Sequence, residues 1–203
     1  MIGPMADLKQ KLTALKIELN ELRARCDAAF HKVSLEHADA VACKTGCDDC
    51  CHALFDLAPM EVLALAIAFK QLPRQERREA LRRAEKAARI YDETAQQVLA
   101  AEPKDRLKLL SQARVPCPLL SKGRCILYEE RPATCRLYGI PVAIGGNART
   151  CHRARFQQGQ TYPTVDWDQV NQQLDHLSAA AVSLVPTLTS RRLDVARTIQ
   201  MDL

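Results

Sequence analysis

The chain is short of the residues that strand-rich folds depend on. Only 4% of its 203 residues are aromatic and only seven are glycine, too few for the many tight turns of a sandwich or barrel. The longest uninterrupted apolar run, 62–69, is eight residues, far below the roughly 20 that cross a bilayer. No membrane partner is expected. Met1-Ile-Gly-Pro-Met5 has no basic start followed by an apolar stretch, so it does not read as an export signal. A reducing, cytoplasmic setting is therefore expected, where nine cysteines serve better as ligands than as disulfides. Also missing are a glycine-rich phosphate loop, a Gly-x-Ser-x-Gly elbow and a His-Glu-x-x-His helix. No substrate pocket is legible.

Charge is nearly as uninformative. Lys and Arg outnumber Asp and Glu by 29 to 24, a net +5. The densest basic stretch, 74–89, interleaves Glu76, Glu79 and Glu85 at helical spacing, the pattern of a solvated helix laced with ion pairs. No aromatic platform accompanies it, so a nucleic-acid partner is unsupported.

What is present points to helix. Apolar residues make up 47% of the chain, and they recur at helical spacing. Leu8, Leu12, Leu15, Leu19, Leu22, Cys26 and Ala29 alternate steps of four and three, a heptad seam. It predicts a helix from about Asp7 to His37, packed on its own domain in preference to a second chain, with self-association or a protein partner as the alternative. Cys26 stands where a leucine would stand and reads as a small buried hydrophobe. Pro59 opens an apolar helix to about Gln71, and Pro73 ends it and starts a longer one to about Ala101. A short helix follows over 104–113. From Val115 to Pro163, Pro, Gly and Cys dominate, and an irregular region tied down by ligands is expected. Asp166 is the expected N-cap of a helix through Val170, Leu174, Leu177 and Ala181. A final helix is expected from about Ser190 to the end.

The fold class is thus mostly α: a small helical domain with an irregular cysteine-rich metal-binding region and an N-terminal heptad helix. The expected division is a heptad helix over 1–40, a cysteine-cluster domain with a helical insert over 41–165, and C-terminal helices over 166–203 packing on that domain.

Eight cysteines fall in two groups. The first reads Cys43-Lys-Thr-Gly-Cys47-Asp-Asp-Cys50-Cys51-His52; the second is Cys117, Cys125, Cys135 and Cys151, at steps of 8, 10 and 16 residues. Thiolates crowded like the first four repel one another unless a cation neutralises them. Gly46 lets their loop fold back so that the sulfurs can converge. The second group has to meet through folding. All eight are candidate metal ligands.

Zinc and iron both suit a thiolate-only set. A zinc ribbon needs two Cys-x2-Cys knuckles, and only Cys47 to Cys50 supplies one. Cys43-x3-Cys47-x2-Cys50 instead makes a local tripod able to hold three corners of an iron–sulfur cluster, with a remote cysteine for the fourth. The lean is to iron–sulfur. The same spacing occurs in radical S-adenosylmethionine enzymes, but their barrel of alternating strands and helices has no counterpart in these helical patterns, and Asp49 stands where an aromatic is usual. His52 and His152 each follow a cysteine and could donate a ligand or a proton. Asp48 and Asp49 suit loop amides better than a soft metal.

Cys43-x3-Cys47-x2-Cys50-Cys51, then Cys117-Pro-Leu-Leu-x2-Gly-Arg-Cys125-Ile-Leu-Tyr-Glu-x-Arg131-Pro-x2-Cys135-Arg136-x-Tyr138-Gly, resembles the YkgJ-type cysteine-cluster family, whose domain is proposed to chelate zinc or iron. The resemblance spans about 43–155. That family usually opens Cys-x2-Cys-Gly-x-Cys-Cys; here the first step is one residue longer and the glycine precedes Cys47. Arg131, Arg136 and Tyr128 match its motif. Arginines beside thiolates could offset their charge and donate to sulfur; ordinary salt bridges are the alternative. A similar domain occurs in flagellin lysine N-methylases, so the resemblance allows an enzyme without requiring one.

Three functions are compatible with these residues. The first is a metal or cluster protein for metal handling, sensing or electron transfer. The second is a metal-dependent modifying enzyme, methylase-like. The third is an interaction protein with purely structural zinc.

Overall fold

A computed structural model describes residues 4–44 and 46–202, and helix accounts for most of them. In chain order the helices are α1 (Pro4–Glu36), α2 (Pro59–Gln71), α3 (Arg74–Ala100), α4 (Pro103–Gln112), α5 (Ala133–Leu137), α6 (Trp167–Leu184) and α7 (Val195–Ile199). Their limits follow local chemistry. Pro59 and Pro103 stand at first helical positions, where proline's missing N–H is no loss. Asp166 caps α6 by accepting from the backbone N–H groups of Asp168 and Gln169 at 2.9 and 3.1 Å.

The few strands are short. β1 (Leu120–Ser121) and β2 (Arg124–Cys125) form a hairpin, while β3 (Val142–Ile144) lies between β4 (Asn147–Arg149) and β5 (Val165–Asp166). β3 pairs antiparallel with β4 and parallel with β5. One expectation changes here. The stretch from Val115 to Pro163 holds a short helix, α5, launched by Pro132 and ended by Gly139 in the left-handed region at φ +103°. A second concerns the C-terminal helix, which spans only Val195–Ile199. Leu193 is extended and exchanges two hydrogen bonds with Leu57, at 2.8 and 3.2 Å, so a helix cannot start before the cap at Asp194.

Contacts gather the chain into two units. The first takes in the chain through Cys47, Ala58–Glu61 and Arg131–Arg191. In it, α1 lies against α5 and α6. The seam residues Leu15, Leu19, Leu22 and Cys26 are buried, as is Val33 further along α1, and so are Val170, Leu174, Leu177 and Ala181 of α6 and Leu137 of α5. Each such leucine contributes about 1.5–3 kcal/mol. The seam therefore packs within its own unit, and only its first leucine, Leu8, is left exposed.

The opening turn of α2 is the polar clamp of this unit. Buried Glu61 accepts from the backbone N–H of Ala58 at 3.3 Å and of Ala133 at 2.8 Å. Met60 N–H donates to Ser178 on α6 at 3.1 Å. Leaving any of these buried groups unpaired would cost about 1–3 kcal/mol.

The second unit comprises Asp48–Leu57, Val62–Glu130 and the described residues from Arg192. Its long helix α3 packs on α7 and α4, and fully buried Ala80, Ala84 and Ala87 permit the close approach. Arg197 of α7 pairs with Asp92 and Asp194 and lies 5.1 Å from the Tyr91 ring centre, while Tyr91 Oη donates to Asp56 at 2.8 Å. Arg83 Nε reaches the carbonyl of Pro118 at 2.8 Å, anchoring the loop after Cys117 to α3. Among the described residues, no helix is long and apolar enough to cross a membrane.

Candidate metal centre

The eight cysteines outside α1 divide evenly. Cys50, Cys51, Cys117 and Cys125 lie in the second unit; Cys43, Cys47, Cys135 and Cys151 lie in the first. All eight are half-buried, shielded from bulk water yet reachable.

In the second unit a 3-10 turn over Asp49–His52 displays Cys50 and Cys51 side by side. It is closed by Cys51 N–H to the Asp48 carbonyl at 2.8 Å, and His52 Nδ1 lies 3.1 Å from the same carbonyl. Along this turn runs 115–117: Val115 N–H donates to His52 O at 3.1 Å and Cys117 N–H to Cys51 O at 2.7 Å. These backbone bonds set the Cys117 sulfur beside Cys51.

The Cys51 thiol hydrogen-bonds with Cys117 and with Cys50, and those bonds, reinforced by burial, hold its proton far above the ordinary thiol range. Cys117 moves the opposite way. The hydrogen bond from Cys51 is the main cause, burial opposes it, and the N–H groups of Leu119 and Leu120 add to it. A sulfur that collects donors in this way is built to carry negative charge.

Cys125 returns to the same loop through a tight hairpin. Lys122 and Gly123 turn it with φ of 49° and 74°, and Leu120 pairs with Cys125. A cavity of about 30 Å³ lined by Phe55, Tyr91, Cys117, Pro118 and Val195 admits a water or two and no organic substrate. Asp49, buried, stands 3.9 Å from Arg114. Tyr128, on the turn after Cys125, is exposed.

In the first unit, Cys47 closes a turn onto Lys44 O at 2.9 Å, with Gly46 at φ +89° supplying the reversal. Cys43 Sγ donates to the carbonyl of Tyr138 at 3.4 Å. Cys135 sits in α5, its N–H on Pro132 O at 3.0 Å. Cys151 Sγ accepts from Arg153 N–H at 3.3 Å, again a donor two residues downstream of the sulfur. The segment after Cys151 is fixed by Arg155 N–H to Ala40 O at 2.8 Å and by a ring cluster of His37, Phe156 and Tyr162. His152 is exposed.

The motif arginines meet Asp27 of α1. Buried Arg136 ion-pairs with it and donates through Nε to Arg131 O at 2.9 Å; Arg131 lies 3.7 Å from the same carboxylate. Asp27 has no legible signal in the sequence, since a lone acid on a helix says nothing of its distant partner. Glu61, two residues after Pro59, occupies a recognisable first-turn position whose backbone partners the sequence does not name.

Cys26 is buried and its thiol is pushed up to about 11, by burial first and then by Asp27 and Glu61. It behaves as the small hydrophobe its seam position predicts. An open groove of about 580 Å³ between α1 and α6, lined by Glu18, Glu21, Arg25, Gln173 and His176, contains no cysteine.

The fold and these sulfurs define a helical protein with eight half-buried cysteines on its loops, turns and short elements outside the long helices. The CxxCxxCC family, described as "Putative zinc- or iron-chelating domain", matches residues 42–152, and the chain belongs to that family. The matched stretch takes in all eight cysteines outside α1 and leaves out α1, α6 and α7. Comparison with curated proteins and with solved structures gives no match.

Proposed function

We propose that this protein binds zinc or iron on cysteine thiolates and that the bound metal is its functional group, in metal handling, sensing or electron transfer. The proposed ligands are Cys50, Cys51, Cys117 and Cys125 in one unit and Cys43, Cys47, Cys135 and Cys151 in the other. The observation that carries the reading is the Cys51 thiol hydrogen-bonded to Cys50 and Cys117, with amide donors on the Cys117 sulfur. Three sulfurs that share protons are a donor set that a soft cation fits, because the cation takes the place of those protons. Arg131 and Arg136, tied to Asp27, act on the centre by holding the helix that carries Cys135.

The lean to iron–sulfur rests on the thiolate-only donors and on the Cys43, Cys47, Cys50 spacing. Anaerobic purification, metal and acid-labile sulfide analysis and an absorption spectrum test it. Sulfide with iron and a broad band at the edge of the visible supports a cluster. Zinc without sulfide supports the coarser reading alone. Protein that neither retains nor takes up either metal refutes both.

A further inference from the structure

We propose that Gly139 is a seat for the Cys43 sulfur. The space where any other residue would carry its Cβ is the space this sulfur occupies. A Cβ built on Gly139 would lie 2.3 Å from Cys43 Sγ, 3.5 Å from Cys43 Cβ and 3.8 Å from Phe30 Cε2. A carbon and a sulfur cannot approach to 2.3 Å without a bond, so one of them has to leave. The seat has a second wall: Cys43 Sγ donates to the carbonyl of Tyr138, the residue before Gly139, at 3.4 Å. Backbone and sulfur are thus in direct contact along one edge of the turn that ends α5.

The other left-handed glycines give the control. Gly46, Gly123, Gly145, Gly146 and Gly159 also have positive φ, yet a Cβ on any of them meets nothing within 4 Å. At those positions glycine serves the backbone. At Gly139, buried and at φ +103°, it also serves a side chain from a distant part of the chain.

The consequence rests on the thiolate reading above: the stretch Cys135 to Gly139 contributes its own cysteine and also positions Cys43. A metal–sulfur bond tolerates only about 0.2 Å of error, so displacing Cys43 removes it from any centre it serves. Gly139 is a positioning residue here, not a ligand.

The test uses the full chain as isolated, with Gly139→Ala, Cys43→Ala, the double variant, and Gly159→Ala as the control for positive-φ strain alone. Alkylation of Cys43 by iodoacetamide, followed on its peptide by mass spectrometry, should accelerate roughly ten-fold in Gly139→Ala and stay unchanged in Gly159→Ala. The melting-temperature loss caused by Gly139→Ala should shrink once Cys43 is also alanine, because the clash is gone. On loading with cobalt(II), the thiolate charge-transfer band per cobalt should fall equally in Gly139→Ala and Cys43→Ala, with no further fall in the double variant.

Unchanged Cys43 alkylation, or fully additive losses of melting temperature, overturns the seat. If Gly139→Ala fails to fold, a folded double variant supports the seat, and a double variant that also fails overturns it. A full cobalt band in Cys43→Ala removes Cys43 from the ligand set, while alkylation still decides the seat.

Discussion

Asp27→Ala offers the sharpest probe of how the heptad helix supports the cysteine-bearing half of its unit. The change removes the carboxylate that Arg136 and Arg131 share. An exposed pair contributes about 0–1 kcal/mol, and a buried charge deprived of its partner costs about 3–5 kcal/mol. This pair is mixed, with Arg136 7% exposed and Asp27 45% exposed, so water screens one side and not the other. Arg136 also keeps its Nε bond to Arg131 O. The expected loss is therefore about 2 kcal/mol, intermediate between those limits.

Urea unfolding followed by circular dichroism measures it, and the melting temperature should fall by roughly 5 °C for a chain of this size. Asp27→Asn keeps an acceptor without the charge and should lose about half as much. In the double variant Asp27→Ala, Arg136→Met the second change should cost much less than it does alone, because the stranded guanidinium is gone. Additive losses, or an Asp27→Ala loss below about 0.5 kcal/mol, would show that the arginines take no support from α1.

Other outcomes follow from the thiols. Cys26→Ala should leave metal content and spectrum intact while costing about 1 kcal/mol through a small cavity; loss of metal would make the heptad helix a ligand donor. Because the folded Cys26 thiol sits near 11 against 9.0 in the open chain, the folded state binds more protons between those values. Stability from this group should therefore be complete below pH 9 and be lost towards pH 11, and denaturation of wild type against Cys26→Ala over that window checks it. Cys117→Ser should reduce bound metal more than any change at Cys26, since it removes a sulfur that accepts from Cys51 and from the Leu119 and Leu120 amides; elemental analysis of the purified variant decides. Chelation should expose residues 142–155, none of which is buried, to protease before the helices; identical digestion of treated and untreated protein would contradict it.

Much of the helical architecture was determined locally and could be read from sequence alone. Prolines 59, 73 and 103 and the cap Asp166 act on their own neighbours, and the seam from Leu15 to Cys26 records which face of α1 is buried. The family could be read as well, because its cysteines, arginines and turn residues are a linear pattern over residues 42–152. Tertiary structure alone decided the rest. It shortened α7 by pairing Leu193 with Leu57, and it gave Arg136 to Asp27 across 109 residues. It also set Cys117 on Cys51 through a backbone bond, and let the Cys43 sulfur fill the place of a missing Cβ at Gly139. The difference is one of range. Caps, prolines and periodicity act within a few residues, whereas a sulfur's neighbours are set by which distant backbones the packed helices bring within 3 or 4 Å.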